Sequence, residues 1–182
     1  MEAALGAALG VMVAKLTQGR KKYEEYAEHA AEVERKCDSL QARLLGVMER
    51  DTEAFNKVSA AFALPKGTEE EKAWRSGAIQ EALKGCTETP LELMELCEEG
   101  LALVESMIGR CNDTCVSDLG VAALSFKAGI QGAWLNVCIN IASVKDRAFA
   151  DECRGRGEAL LARAIPVADR CHAEVLRLSG GA

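Results

Sequence analysis

Residues 23–61 read YEEYAEHAAEVERKCDSLQARLLGVMERDTEAFNKVSAA. Apolar side chains return along them every three or four positions, at Tyr23, Tyr26, Ala30, Val33, Cys37, Leu40, Leu44 and Val47, then at Ala54, Val58 and Ala61. That spacing keeps one stripe of a long helix turned toward neighbouring helices. One position breaks it: Asp51 falls on the stripe between Val47 and Ala54. A carboxylate on a buried stripe is costly unless it is hydrogen-bonded, paired or kept protonated. Two readings stay open on position alone. Asp51 is either a carboxyl group with a raised pKa that can move a proton near neutrality, or a structural group that bonds a helix end or turns out to solvent.

The rest of the chain reads as more helix. Its 182 residues are 49% hydrophobic, enough for one core, so residues 1–182 read as a single domain. Ala, Leu, Glu, Lys and Arg dominate and prolines are few, which predicts an all-α bundle. Leu64-Pro65-Lys66-Gly67 stops a helix, and Thr68-Glu69-Glu70-Glu71 has the form of a capping box that starts the next. Thr89-Pro90-Leu91-Glu92 reads as a second box with proline in the first helical position, and Ser143-Val144-Lys145-Asp146 as a weaker third. These signals predict about six helices, near 2–18, 22–63, 69–85, 90–110, 117–142 and 146–178. The second is the longest, and the fifth is apolar around most of its circumference and therefore central.

One stripe of that fifth helix is small and polar: Asp118, Ala122, Ser125, Gly129, Gly132, Asn136 and Asn140. Such a stripe either admits another helix closely or leaves room for a flat ligand, to which asparagines offer both donors and acceptors. Gly6 and Gly10, with Ala3, Ala7 and Ala14, point to tight packing of the first helix. Arg20-Lys21-Lys22, at the turn after it, is either solvated surface or an anchor for an acidic ligand tail.

Charge and cysteine usage narrow the function classes. A net charge of −6 argues against a nucleic-acid partner, which needs a basic face. No secretory leader precedes the eight cysteines, at 37, 86, 97, 111, 115, 138, 153 and 171. Free thiols in a reducing, cytoplasmic setting are therefore expected. There is no Cys-x-x-Cys pair and only His29 and His172 could assist, so no metal site is expected. Residues 3–14 are too short to span a bilayer, and residues 119–141 carry Lys127, Gln131, Asn136 and Asn140, so no membrane association is expected.

Four segments together resemble the family of formiminotransferase-cyclodeaminases and methenyltetrahydrofolate cyclohydrolases. They are Gly6–Thr17 leading into Arg20–Tyr23, Asp51-Thr-Glu-Ala-Phe-Asn56, Leu64-Pro-Lys66, and Ser117-Asp118 running to Asn136-Val-Cys-Ile-Asn140. The resemblance implies an all-helical protein, at least dimeric, that acts on a tetrahydrofolate derivative as substrate and keeps no permanently bound cofactor. The implied reaction closes 5-formiminotetrahydrofolate to 5,10-methenyltetrahydrofolate with release of ammonia. Methenyltetrahydrofolate cyclohydrolase is the alternative, and a non-catalytic folate-binding scaffold is an alternative of another class. The aspartate of the family's Asp-x-Glu-Ala-Phe segment is regarded as its proton donor and falls on Asp51.

From charge and spacing, Ser117, Asp118, Asn136 and Asn140 are expected to line the pterin or hold Asp51. Lys15, Lys21 and Lys22 are expected to face the glutamate tail. Relatives begin this domain with Pro-Gly-Gly-Gly-Ser, whereas this sequence starts Met1-Glu2-Ala3. The expectation is weaker folate binding without the glycine-rich amides. A formiminotransferase, if one serves this chain, would be a separate partner.

Overall fold

The computed structural model describes residues 1–180. Five long helices carry the fold: α1 (Glu2–Thr17), α2 (Ala27–Phe62), α3 (Glu69–Met107), α4 (Val116–Ser143) and α5 (Arg147–Leu178). Short 3-10 turns at Lys21–Tyr26 and Asp113–Cys115 lead into α2 and α4. Among the described residues there is no strand, and no helix is long and apolar enough to cross a membrane.

The expected count of six helices is corrected to five because the segments read as 69–85 and 90–110 are one helix, α3, with Pro90 inside it. The true capping box is at Thr68, whose hydroxyl accepts from the Glu71 amide while the Glu71 carboxylate accepts from the Thr68 amide. Thr89 instead donates its hydroxyl back to the Gly85 carbonyl, as a mid-helix threonine does. Proline lacks the N–H that would bond the carbonyl four residues earlier, here Cys86. That carbonyl is taken by Asn140 of α4, whose Nδ2 donates to it at 2.7 Å. The start of α5 is capped by Asp146, which accepts from the Phe149 amide.

Pairs between helices fix their directions. Gly10 lies against Cys37, and Lys15 reaches Glu34, so α1 and α2 are antiparallel. Arg43 pairs with Glu99 and Arg50 with Glu92, making α2 and α3 antiparallel. Gly100 of α3 and Gly6 of α1 both take the ring of Phe126, which threads α4 between them. On the far side Gly157 of α5 admits Trp134 of α4. Arg156, Arg163 and Arg170, seven residues apart, meet Glu95, Glu98 and Glu105, so α5 runs parallel to α3. Helices α3 and α4 form the centre, with α1 and α2 on one side and α5 on the other. The fully buried Leu40, Leu91, Met94, Leu101, Phe126 and Ile130 belong to one continuous core.

Candidate active site at the start of the first helix

Stepping back nine residues from Gly10 to Met1 on α1 means stepping forward nine from Cys37 to Gly46 on the antiparallel α2. Beyond that point α2 continues for four more turns with no α1 beside it. Just past that point Val47 is still buried, and Asp51 is the next stripe residue. It is 18 residues, five whole turns, after the buried Val33 and faces the same way. It is nevertheless exposed, because the helix that covers Val33 and Leu40 does not reach it. Of the outcomes its position left open, Asp51 takes the one that meets solvent. Among the described residues Asp51 has no ion pair and no side-chain hydrogen bond, while its neighbour Arg50 is tied to Glu92 at 2.6 Å.

The same hollow is bounded by α4 and α3. Ala3 packs on Gly129 and Cys97, so Gly132, Asn136 and Asn140 also lie beyond the start of α1. A Cβ added at Gly132 would meet nothing within 4 Å. Asn136 is exposed, and its Nδ2 reaches only its own helix, at the Gly132 carbonyl, 3.5 Å away. The half-buried Cys86 ties the walls together: its carbonyl accepts from Asn140, and its thiol pKa is raised, by burial first and then by the nearby charge of Asp51. The first turn of α1 stands at the edge of this region, with Ala3 packed against Gly129 beside Cys97. Asp51 and Asn140 thus flank Cys86, with Asn136 one turn from Asn140, a carboxylate and two carboxamides suited to relay a proton and hold a polar, planar ligand.

The other expected ligand residues stand elsewhere. Lys15, Lys21, Lys22, Ser117 and Asp118 cluster at the far end of α1, about 20 Å from its start at 1.5 Å per residue. Within one chain the 16-residue length of α1 separates Ser117 and Asp118, expected beside the pterin, from Asp51, and puts Lys15, Lys21 and Lys22, expected at the glutamate tail, at that same far end. At that end the Lys22 ammonium bonds Asp113 at 2.6 Å, which raises the lysine pKa and lowers that of the aspartate. Tyr23 Oη accepts from the Asp113 amide, and Asn112 bonds Thr17 Oγ1 and the Leu16 carbonyl. Of the three basic residues of the turn Lys22 thus joins, with Tyr23, a clasp between the α1–α2 and α3–α4 connections. His29 is likewise structural, with Nε2 against the Ser106 carbonyl and hydroxyl.

A separate groove of about 900 Å³ runs between α2 and α3 on the α5 side, past Ala54, Ala61, Ala82 and Gly85. Asp51 does not line it. Its cations Arg50, Lys57 and Lys84 are matched in number by Glu53, Glu81 and Glu88, so its lining carries no net charge. Among the described residues no three His, Cys, Asp or Glu side chains converge as metal ligands.

Fold and opening define the class: a helical bundle whose candidate reactive carboxylate stands where one helix of the bundle begins. The model of the formiminotransferase-cyclodeaminase family matches residues 1–159. The chain is 44% identical over 172 residues to the methenyltetrahydrofolate cyclohydrolase of Methylorubrum extorquens, covering 94% of this chain and 83% of that protein. It is 34% identical over 162 residues to the formimidoyltransferase-cyclodeaminase of Rattus norvegicus, covering 89% of this chain but only 30% of that longer protein. The crystal structure of formiminotetrahydrofolate cyclodeaminase from Thermotoga maritima superposes with a TM-score of 0.82 at 25% identity, over 99% of this chain and 84% of that one. The chain belongs to the formiminotransferase-cyclodeaminase family.

Proposed function

We propose that this chain opens or closes the one-carbon ring of a tetrahydrofolate at the hollow where α1 begins, with Asp51 moving the proton. The observation that supports the reading is that Asp51 and Asn140 both lie beside Cys86, with Asn136 one turn from Asn140. Hydrolysis of the methenyl form comes first, supported by the 44% identity to a cyclohydrolase that matches along most of its length. Water adds to the electron-poor carbon between the two folate nitrogens, and Asp51 accepts its proton. One carbon–nitrogen bond of the resulting tetrahedral centre then breaks, the proton held by Asp51 passes to the departing nitrogen, and the hydroxyl proton is released to solvent as the formyl carbonyl forms. Cyclodeamination, the reaction put first from the sequence, is the second reading, supported by the fold shared with the Thermotoga maritima enzyme. There N10 attacks the formimino carbon, and Asp51 gives the proton with which ammonia leaves.

Two copies of the chain would complete this unit. Helices α1 and α4 lie side by side and turn Leu5, Met12, Leu16, Val121, Leu135 and Ile139 outward, with Leu135 and Ile139 about 70% exposed. An apolar face of this extent marks an interface, and one face pairing with itself forms a closed two-fold dimer. A two-fold axis crossing these helices at right angles would set the basic end of one copy's α1 over the Asp51 end of the other. Lys15, Lys21 and Lys22, with Ser117 and Asp118, would then serve the folate tail across the interface.

The test is to assay the purified protein with 5,10-methenyl- and 5-formiminotetrahydrofolate. Turnover of one of them is expected, lowered by roughly a hundredfold or more in Asp51→Asn. Because Asp51 is exposed, the variant should keep its helical signal and melting temperature. Turnover of neither substrate would sink the enzymatic reading, and unchanged turnover in Asp51→Asn would remove Asp51 from the chemistry.

A further inference from the structure

A pocket of about 420 Å³ opens on the first turns of α3, between the α2–α3 and α4–α5 connections. Its charged lining is Lys66, Lys72, Arg75 and Lys145, with no acidic side chain beside them, in a chain whose net charge is −6. The carboxylates nearest in sequence are engaged elsewhere. Glu71 accepts from the Gly67 and Thr68 amides at the start of α3, and Asp146 holds Lys84 at 2.8 Å and the Phe149 amide at the start of α5. Of the four cations Lys72 alone is paired, with Glu69 of its own helix at 2.7 Å.

Two of the others are held by neutral oxygens. Arg75 donates from Nε and Nη2 to the Phe62 carbonyl at the end of α2, at 3.2 and 2.9 Å, which fixes the guanidinium and leaves its Nη1 hydrogens uncommitted among the described residues. The Lys145 ammonium donates to Ser76 Oγ at 2.9 Å. Its backbone is pinned by Gln80, whose Oε1 accepts from the Lys145 amide at 2.6 Å while its Nε2 donates to the Ser143 carbonyl. Arg75 and Lys145 are thus positioned without being neutralised. A site in that condition binds an anion through charge-assisted hydrogen bonds and has little of its own structure left to order. The volume is in the range of small-molecule sites. We propose that this pocket binds a compact anion bearing two or more phosphate or carboxylate groups, with Arg75 and Lys145 as its fixed donors and Lys66 as the third cation. Asp51, Asn136 and Asn140 do not line it, so the site is independent of the reaction proposed above.

The test is calorimetry on the whole chain with pyrophosphate as the phosphate probe and citrate as the carboxylate probe. Saturable one-to-one binding of at least one of them is expected, weakening as salt is added. Each charge-assisted contact removed should lower affinity roughly tenfold, so Lys66→Gln loses about one factor of ten and Lys66→Gln with Lys145→Gln about two. Both residues are exposed, and the melting temperature without probe should stay close to wild type. Lys66→Arg with Lys145→Arg, which keeps the charge, should still bind. Tighter pyrophosphate would assign a phosphorylated ligand and tighter citrate a carboxylate one. Saturable binding of neither probe, or undiminished binding in Lys66→Gln, would overturn the proposal. An equal loss in Lys21→Gln, at the other end of the bundle, would overturn it as well by reducing the effect to net charge.

Discussion

Burial pushes several thiols far above their ordinary ionisation near pH 9: Cys37, Cys97 and Cys111 to about 12 and Cys171 to about 11. In the unfolded chain these groups lose their protons near pH 9, while the folded protein holds them. The unfolded state therefore binds fewer protons in that window, and folding stability falls as pH rises. The contribution is complete below about 9 and is lost on the way to 12. Denaturant midpoints measured from pH 8 to 11 should decline above 9, and less steeply in Cys97→Ala. An equal slope in that variant would exonerate this thiol. The same residue scale shows where a sequence misleads. Asp51 sits on its helix's core stripe, as the periodicity of α2 says, but its exposure depends on how far α1 reaches. No spacing within α2 encodes that length.

At the scale of the helix, Thr89-Pro90-Leu91-Glu92 has every mark of a helix start and lies inside α3. What lets the helix continue is a side chain 54 residues from the carbonyl it satisfies, Asn140 on Cys86. Local patterns see the break and cannot see the repair. Asn140→Ala should destabilise the fold by about 1 kcal/mol, since the acceptor it leaves unmet is only half-buried. Replacing Pro90 with alanine gives the carbonyl an N–H of its own, so in Pro90→Ala the loss of Asn140 should cost much less. Urea titrations of the two single variants and the double variant measure the coupling, and simple additivity would mean that Asn140 does not repair the proline gap. The seam of α2, the stop at Leu64–Gly67 and the box at Thr68 were legible, since each is decided by neighbours in sequence. The polar stripe of α4 was legible as a stripe, but its Asn140 proves partly structural, with one amide hydrogen committed to the helix it crosses.

For the whole molecule, the outward apolar face of α1 and α4 makes a direct claim about assembly. Leu135→Glu together with Ile139→Glu should turn a dimer into a folded monomer in sedimentation velocity, with activity falling alongside. A monomeric wild type would exclude the pairing. If the two ends of α1 serve one site across the interface, mixing an inactive Asp51→Asn protein with an inactive Lys15→Glu, Lys21→Glu protein should restore part of the activity. Intact mixed dimers that stay inactive would confine the site to one chain.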